Sequence, residues 1–371
     1  MDAARPLDQS QPLHRPPAGF WLWRSGGTSN GTSDGTRPRY SLLIPKRAVT
    51  INSLLILLLL IVVTLSLGSG SVSLSPAEVW QALWHQGPAI NQLVVNELRL
   101  QRVLAGLTTG AAFALSGCLM QTLSRNRLAT PGIIGIDNAA TAFAVASVTG
   151  TGLSLAPSAM ALAGAATACA LAFGLTGASG RGGYRFIVAG IGIGAIAGAM
   201  TQFMLSRVAI DDANAAFPWT VGSLNARSPE ATAALAACLP FALALSLRMT
   251  RALQLVQVSD AVSIGLGINL KQVRRNGLIL SVLLTGLAVA VAGPVGLVAL
   301  LGPEIARGLC RHKGVPLVAS ALCGALIMLA ADLTGRLILA PLEIPVGIVT
   351  AVVGSPYLLW MLLNPSFKNT P

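Results

Sequence analysis

Ten apolar runs, each near the length that crosses a bilayer, recur along the chain with only short polar punctuation between them. They lie at 49–68, 102–122, 134–152, 157–177, 186–206, 231–248, 276–293, 295–310, 316–335 and 344–363. A spanning helix needs about 20 apolar residues. Hydrocarbon offers no water to a bare backbone, so runs of this kind are helical. Charge is scarce as well: 10% of the 371 residues are charged, against roughly 25% in soluble domains. A soluble enzyme cannot cover its surface from so little charge. The expected fold is an all-α integral membrane protein with ten transmembrane helices over residues 47–371. The 39 glycines suit helices whose backbones approach closely. The seventh and eighth runs meet at Pro294 with almost no loop. Between the first and second, Pro76, Trp80 and Trp84 suit a short helix at the membrane surface.

Residues 1–46 are of another kind, rich in Pro, Ser, Thr, Gly and Arg and without hydrophobic periodicity. They read as a disordered cytoplasmic tail. The run Phe20–Trp23 is too short for a signal-peptide core and is closed by Arg24. With the amino terminus inside, twenty of the 25 Lys and Arg fall on cytoplasmic segments and five outside: Arg99, Arg102, Arg207, Arg227 and Arg336. That bias puts both termini in the cytoplasm. It also explains the net charge of +12 as topology; no basic face with interleaved aromatics points to nucleic acid. The five cysteines show no metal-ligand spacing and read as small packing residues.

A repeat pairs the second run with the seventh. Leu107, Thr109, Gly110, Ala112, Ala114 and Gly117 match Leu283, Thr285, Gly286, Ala288, Ala290 and Gly293. The two runs point in opposite directions, so the halves would form an inverted repeat, a plan common in transporters.

Several positions carry candidate chemistry. Arg99 and Arg102 stand three apart at the outer mouth of the second span and share a helix face. They suit bidentate recognition of a carboxylate, or snorkelling at a helix end; Arg336 has the same two readings. The stretch 249–275 looks helical, with Ser259 placed to start a helix at Asp260 and Gly265 and Gly267 allowing a sharp turn. It suits docking to another protein or a membrane-surface helix. Gly190, Gly194 and Gly198 form a stripe that lines a path or packs a neighbour. Asp137, Glu304 and Asp332 are the acidic residues within spans, where charge is costly. Gly302-Pro303 predicts a break in the eighth helix just before Glu304.

Five stretches carry a family resemblance: ELRLQRVLAGLTTGAAFALSGCLMQTLSRNRLATPGIIGI at 97–136, PWTVGSL at 218–224, IGLGINLKQVR at 264–274, AVAGPVGLVALLGPEIAR at 290–307 and LAADLTGRLILAPLEIPVGIVTAVVGSPYLLWMLL at 329–363. Over about residues 55–363 the chain resembles the FecCD-type permease subunits of ABC importers for iron-siderophores, haem and cobalamin. CGALIMLAADL and LEIPVGIVT are most similar to the ferric-enterobactin permeases of that family.

The resemblance implies an inverted-repeat, type II importer permease of ten helices in the inner membrane. It implies a path shared with a second, non-identical permease subunit and an external substrate-binding protein that delivers the chelate. It also implies two copies of a cytoplasmic ATPase that use ATP and Mg, while this chain is no enzyme and binds no cofactor. Arg99 and Arg102 occupy the family's RLPR motif and Arg336 matches an outer-end arginine, which favours binding-protein docking. The 257–274 loop matches the coupling helices held in an ATPase cleft, assigning Ser259, Asp260, Ile264, Gly265, Leu266, Gly267 and Asn269. Gly190, Gly194 and Gly198 are assigned to the path or gate. The chain departs from the family at four places. Gln101 replaces Pro in RLPR, Arg127 and Thr130 replace Pro and Asp in RNPLADPG, and Glu304 stands where PHIAR has His. An ion-coupled secondary transporter is the rival reading, and among the buried acids it would rest on Glu304.

Overall fold

The computed structural model describes residues 20–24, 41–70, 72–151, 155–176, 183–311 and 314–363. Within the amino-terminal tail, expected to lack regular structure, β1 (Phe20–Arg24) pairs antiparallel with β2 (Ser41–Pro45). Their sequences, FWLWR and SLLIP, are rich in residues that favour strands. The rest of the tail lies outside the described residues.

Every other described element is helical. α1 (Lys46–Gly68) is followed by α2 (Pro76–Leu83), the expected short helix between spans one and two. Ser75 and Glu78 close a reciprocal capping box at the start of α2. α3 (Ala89–Gln92) runs through a π-helical stretch, Leu93–Arg99, into α4 (Leu100–Ser124). A 3-10 turn, Pro131–Ile134, precedes α5 (Ile136–Val148), and α6 (Pro157–Thr176) and α7 (Gly183–Arg207) follow. Next come α8 (Ile210–Val221), α9 (Pro229–Arg248), α10 (Thr250–Val258) and α11 (Asp260–Gly265). The chain closes with α12 (Leu270–Ala292), α13 (Gly296–Cys310), α14 (Leu317–Leu337) and α15 (Val346–Leu363).

The ten expected spans are α1, α4, α5, α6, α7, α9, α12, α13, α14 and α15. Among the described residues, seven helical stretches are long and apolar enough to cross a membrane unaided. α5 has 13 residues and α13 has 15, or roughly 20 Å each at about 1.5 Å per residue. Such short helices are tolerated where protein covers their irregular ends. Gly293, at φ 77°, then Pro294 and Val295 separate α12 from α13. Here Ser223 N–H donates to Ala292 O at 2.8 Å and Gly347 N–H to Gly222 O at 3.1 Å. The unwound Gly222-Ser223 segment is thus tied by its backbone to the end of α12 and the start of α15.

α4 is buried along most of its length and packs against α12, α13 and α14. Leu123 lies against Gly277, while Ser281 Oγ donates to Ser116 O and Thr285 Oγ1 to Ser116 Oγ, both at 2.9 Å. Residue numbers rise along α12 as they fall along α4, so the two repeat-related helices run antiparallel. A Cβ on Gly110 would overlap the carbonyl of Gly324, and one on Gly324 the carbonyl of Gly110.

α13 is continuous through Gly302-Pro303, against the break expected there. Pro303 cannot donate to the carbonyl of Ala299. That carbonyl instead faces Gly117 of α4, where a Cβ would overlap it. The neighbouring helix covers the freed group, so the helix need not open.

Replacing Gly117 by Leu is expected to destabilise the purified protein by about 3 kcal/mol through overpacking. Gly192→Ala, with nothing within 4 Å of the added carbon, should leave the thermal midpoint in detergent unchanged. Equal midpoints for both variants would contradict the role given to the α4 seam.

Candidate functional site

The first cluster forms where α1 ends. A helix terminus leaves its last carbonyls without intrahelical donors, and cations are favoured there. Arg99 supplies Nη1 to Leu67 O at 2.7 Å and to Gly68 O at 3.0 Å, and Nη2 to Val72 O. Arg336 reaches the same terminus from α14, donating to Ser66 O at 3.3 Å, Ser69 O at 3.2 Å and Ser66 Oγ at 2.5 Å. It also pairs with Asp332 one turn back at 3.1 Å. Arg102 bridges Asp332 at 2.9 Å and Glu343 at 2.8 Å.

The structure therefore brings all three expected arginines together but turns two of them inward. Arg99 is 7% exposed and the Arg336 side chain 7%. Most of their donors are committed to the end of α1, where the helix leaves its last carbonyls without intrahelical donors. Most of the hydrogen-bonding capacity of Arg99 and Arg336 is thus spent within the chain, which leaves Arg102 as the member of the expected docking set nearest to solvent. Arg102 alone pairs with a group that reaches solvent, the 41% exposed Glu343 side chain. Asp332 and Glu343, which organise the cluster, lie 230 and 241 residues from Arg102. In the sequence Asp332 stands out only as an acidic residue within a span, and nothing local marks Glu343.

The second cluster lies at the opposite end of α4, a helix about 37 Å long at 1.5 Å per residue. Ser259 caps α11 by accepting from Ala261 N–H at 3.2 Å, and Asn269 caps α12 by accepting from Gln272 N–H at 3.2 Å. The six-residue α11 thereby projects Ile264 and Leu266, each 62% exposed, with Val258 and Val262 also exposed. Gly265 and Gly267 face open space, Gly267 at φ 79°. Asp260 is the charged member, paired with Arg125 and, at 3.1 Å, with Arg274.

The glycine stripe of α7 meets α5 and the turn before it. A Cβ on Gly190 would lie 2.6 Å from Ile133 O, and Gly194 faces Gly135 Cα and Asn138 Nδ2 at 3.2 Å. Asn138 Nδ2 donates to Gly194 O at 3.0 Å, and Gly198 borders the same amide. The stripe is a packing seam within the chain; its expected place on the wall of a path is not what this face shows.

α8 was not foreseen, since Asp211, Asp212 and Pro218 mask it in the sequence. Just beyond it Arg227 stacks over Trp219, 4.1 Å from the ring centroid, and donates to Ser223 O and Pro218 O. Burial pushes this guanidinium down to about 10, so it remains a cation at neutral pH.

The model of the FecCD transport family matches residues 58–364. The chain belongs to that family. It is a multi-pass permease subunit of an ABC importer, not an enzyme. The ferric enterobactin transport system permease protein FepG of Escherichia coli is 32% identical over 80% of this chain and 91% of its own. The achromobactin transport system permease protein CbrC of Dickeya dadantii is 35% identical over 92% and 96%. The hemin transport system permease protein HmuU of Yersinia pestis is 35% identical over 79% and 89%. In fold, the chain matches a solved inward-facing structure assigned as a metal-chelate type ABC transporter. The TM-score is 0.73 at 24% identity, covering 85% of this chain and 99% of the other. ABC permease architecture implies a second permease subunit, ATPases that use ATP, and a substrate-binding protein.

As a FecCD permease the chain keeps its buried acids mostly paired. Asp332 is held by Arg102 and Arg336, and Glu304, 3% exposed, by Arg127 at 3.4 Å and Arg307 at 3.1 Å. Asp137 Oδ1, in the first turn of α5, is buried and has no hydrogen-bond partner among the described residues. The pairing of Glu304 removes the residue on which an ion-coupled reading rested.

Asp332→Asn is expected to destabilise the protein by about 3 kcal/mol, because it leaves buried guanidinium groups uncompensated. Glu343→Gln, at a half-exposed position, should change stability by less than about 1 kcal/mol. Thermal denaturation in detergent separates the two, and an unperturbed Asp332 variant would contradict the pairing scheme.

Proposed function

We propose that this permease imports a ferric siderophore chelate of the enterobactin type, as one half of a heterodimer in the inner membrane. The observation that carries the reading is the contrast between the two ends of α4. One holds a basic cluster with a single partly accessible pair. The other exposes Val258, Ile264 and Leu266 on a capped, glycine-flanked projection. An apolar knob beside charged groups suits a protein cleft, and two copies of an ATPase would supply one for each permease subunit. The positive-inside bias supports placing this projection and both termini in the cytoplasm. The arginine end then faces the external binding protein.

ATPase closure pushes the 257–274 loop, the two permease subunits rock, and the path opens outward to receive the chelate. Hydrolysis resets the pair. In this scheme the Gly190–Gly194–Gly198 seam keeps α5 and α7 moving together as one wall. Docking narrows to Arg102: a carboxylate of the binding protein replaces Glu343 on its guanidinium, while Arg99 and Arg336 hold the end of α1 to α4 and α14 respectively. The ferric enterobactin relative supports the substrate. Haem is the second reading, favoured by the hemin relative at 35% identity.

Two measurements test these assignments. The reconstituted transporter should take up radiolabelled ferric enterobactin with ATP and lose uptake with vanadate; uptake of haem alone would overturn the siderophore assignment. Arg102→Glu should weaken capture of the loaded binding protein at least about tenfold, near 1.4 kcal/mol. Glu343→Gln should strengthen it and Arg99→Lys leave it unchanged. Full capture by the Arg102 variant would remove the docking role.

A further inference from the structure

The connection between α4 and α5 carries two arginines that hold two different elements. Arg125, in the left-handed conformation at φ 51° that closes α4, pairs with Asp260 at the start of α11. Arg127, two residues on, pairs with Glu304 on α13 at 3.4 Å. The turn between them is stiffened by its own hydrogen bonds. Asn126 N–H donates to Gln121 O at 3.2 Å, Ala129 N–H to Asn126 O at 3.1 Å, and Leu128 N–H to Asn126 Oδ1 at 2.9 Å. Glu304 is further tied to Arg307, whose Nη2 reaches Gln121 Oε1 of α4. A rigid strap therefore spans from the exposed projection to a buried carboxylate inside the bundle.

The pairs at the two ends of this strap differ in kind. Arg125 and Asp260 are 37% and 43% exposed, and ion pairs this open add little stability. Glu304 is buried, so its partners cannot leave without stranding a charge. The first is a contact that can follow a moving surface; the second is an anchor. Arg127 and Glu304 are also two of the positions at which the chain departs from the family pattern. Proline has no cation to offer, and histidine no fixed negative charge. The two departures are the halves of one ion pair.

We propose that Arg125 and Arg127 are positioning residues that transmit displacement of α11 to α13 during transport. The proposal rests on the ATPase docking at α10–α11 described above. α13 leads to the unwound Gly293–Val295 stretch and packs against α4, α14 and α15. A pull on Glu304 therefore reaches the centre of the bundle. Rigid elements with charge pairs at both ends are the kind of contiguous network through which coupling passes.

The test uses the full transporter reconstituted with its partner permease and ATPase, reading chelate moved per ATP hydrolysed. Arg125→Gln and Arg127→Gln should each lower this ratio about fivefold or more, with ATPase co-purification unchanged. Arg127→Lys should restore most of it. Arg125→Lys should likewise keep most of it. If Arg127→Gln fails to assemble, the Arg125 variants decide, since that side chain is 37% exposed. An unchanged ratio in the Gln variants, or no recovery in the Lys variants, overturns the strap. Ile264→Asp tests the docking separately: it should abolish ATPase co-purification, and intact co-purification would overturn docking rather than the strap.

Discussion

Lipid neither hydrates a helix nor drives two apolar helices together, so this bundle depends on how closely α4 can approach its neighbours. Gly110 against Gly324 and Gly117 against Ala299 set that distance. At such range dispersion and carbonyl contacts replace the hydrophobic force that a soluble core would use. With α4 central, its first turn delivers Arg102 to Asp332, and its last delivers Gln121 and the 125–129 turn to α13. The close seam and the charged ends are one arrangement.

The two ends handle charge differently. Where α1 stops, arginines complete a helix terminus and the acid shared by two of them, Asp332, is buried with them. This end is internally satisfied apart from the Arg102–Glu343 contact at its rim. At the other end the charges are more open and stand beside exposed aliphatic side chains. Transport by rocking requires both properties: an interior that does not come apart, and a surface that can be pushed.

The ten spans were legible because period, length and the absence of charge leave an apolar run no alternative to helix in a membrane. The short helix with Trp80 and Trp84, the Ser259 cap and the division at Pro294 were legible from local chemistry. α8 was not, since Asp211, Asp212 and Pro218 break its apolar pattern. Nor was the continuity of α13, because Pro303 ends a helix on local grounds and only Gly117 of another helix reverses that outcome. The three arginines stand out in the sequence, but the groups they face do not. A motif shows where guanidinium groups sit along the chain, not that the carbonyls of Ser66, Leu67 and Gly68 claim them.

The sequence by itself determined the all-helical membrane class, the family and which segments hold the charged ends. Each of these follows from composition or from patterns within a few tens of residues. Only the tertiary structure decided which charges meet. Arg102 finds Asp332 across 230 residues and Arg127 finds Glu304 across 177. In a medium where an unpaired charge is costly, the partner fixes the role. The same three arginines that looked like one docking site are divided by their partners into two that close a helix and one that reaches the rim.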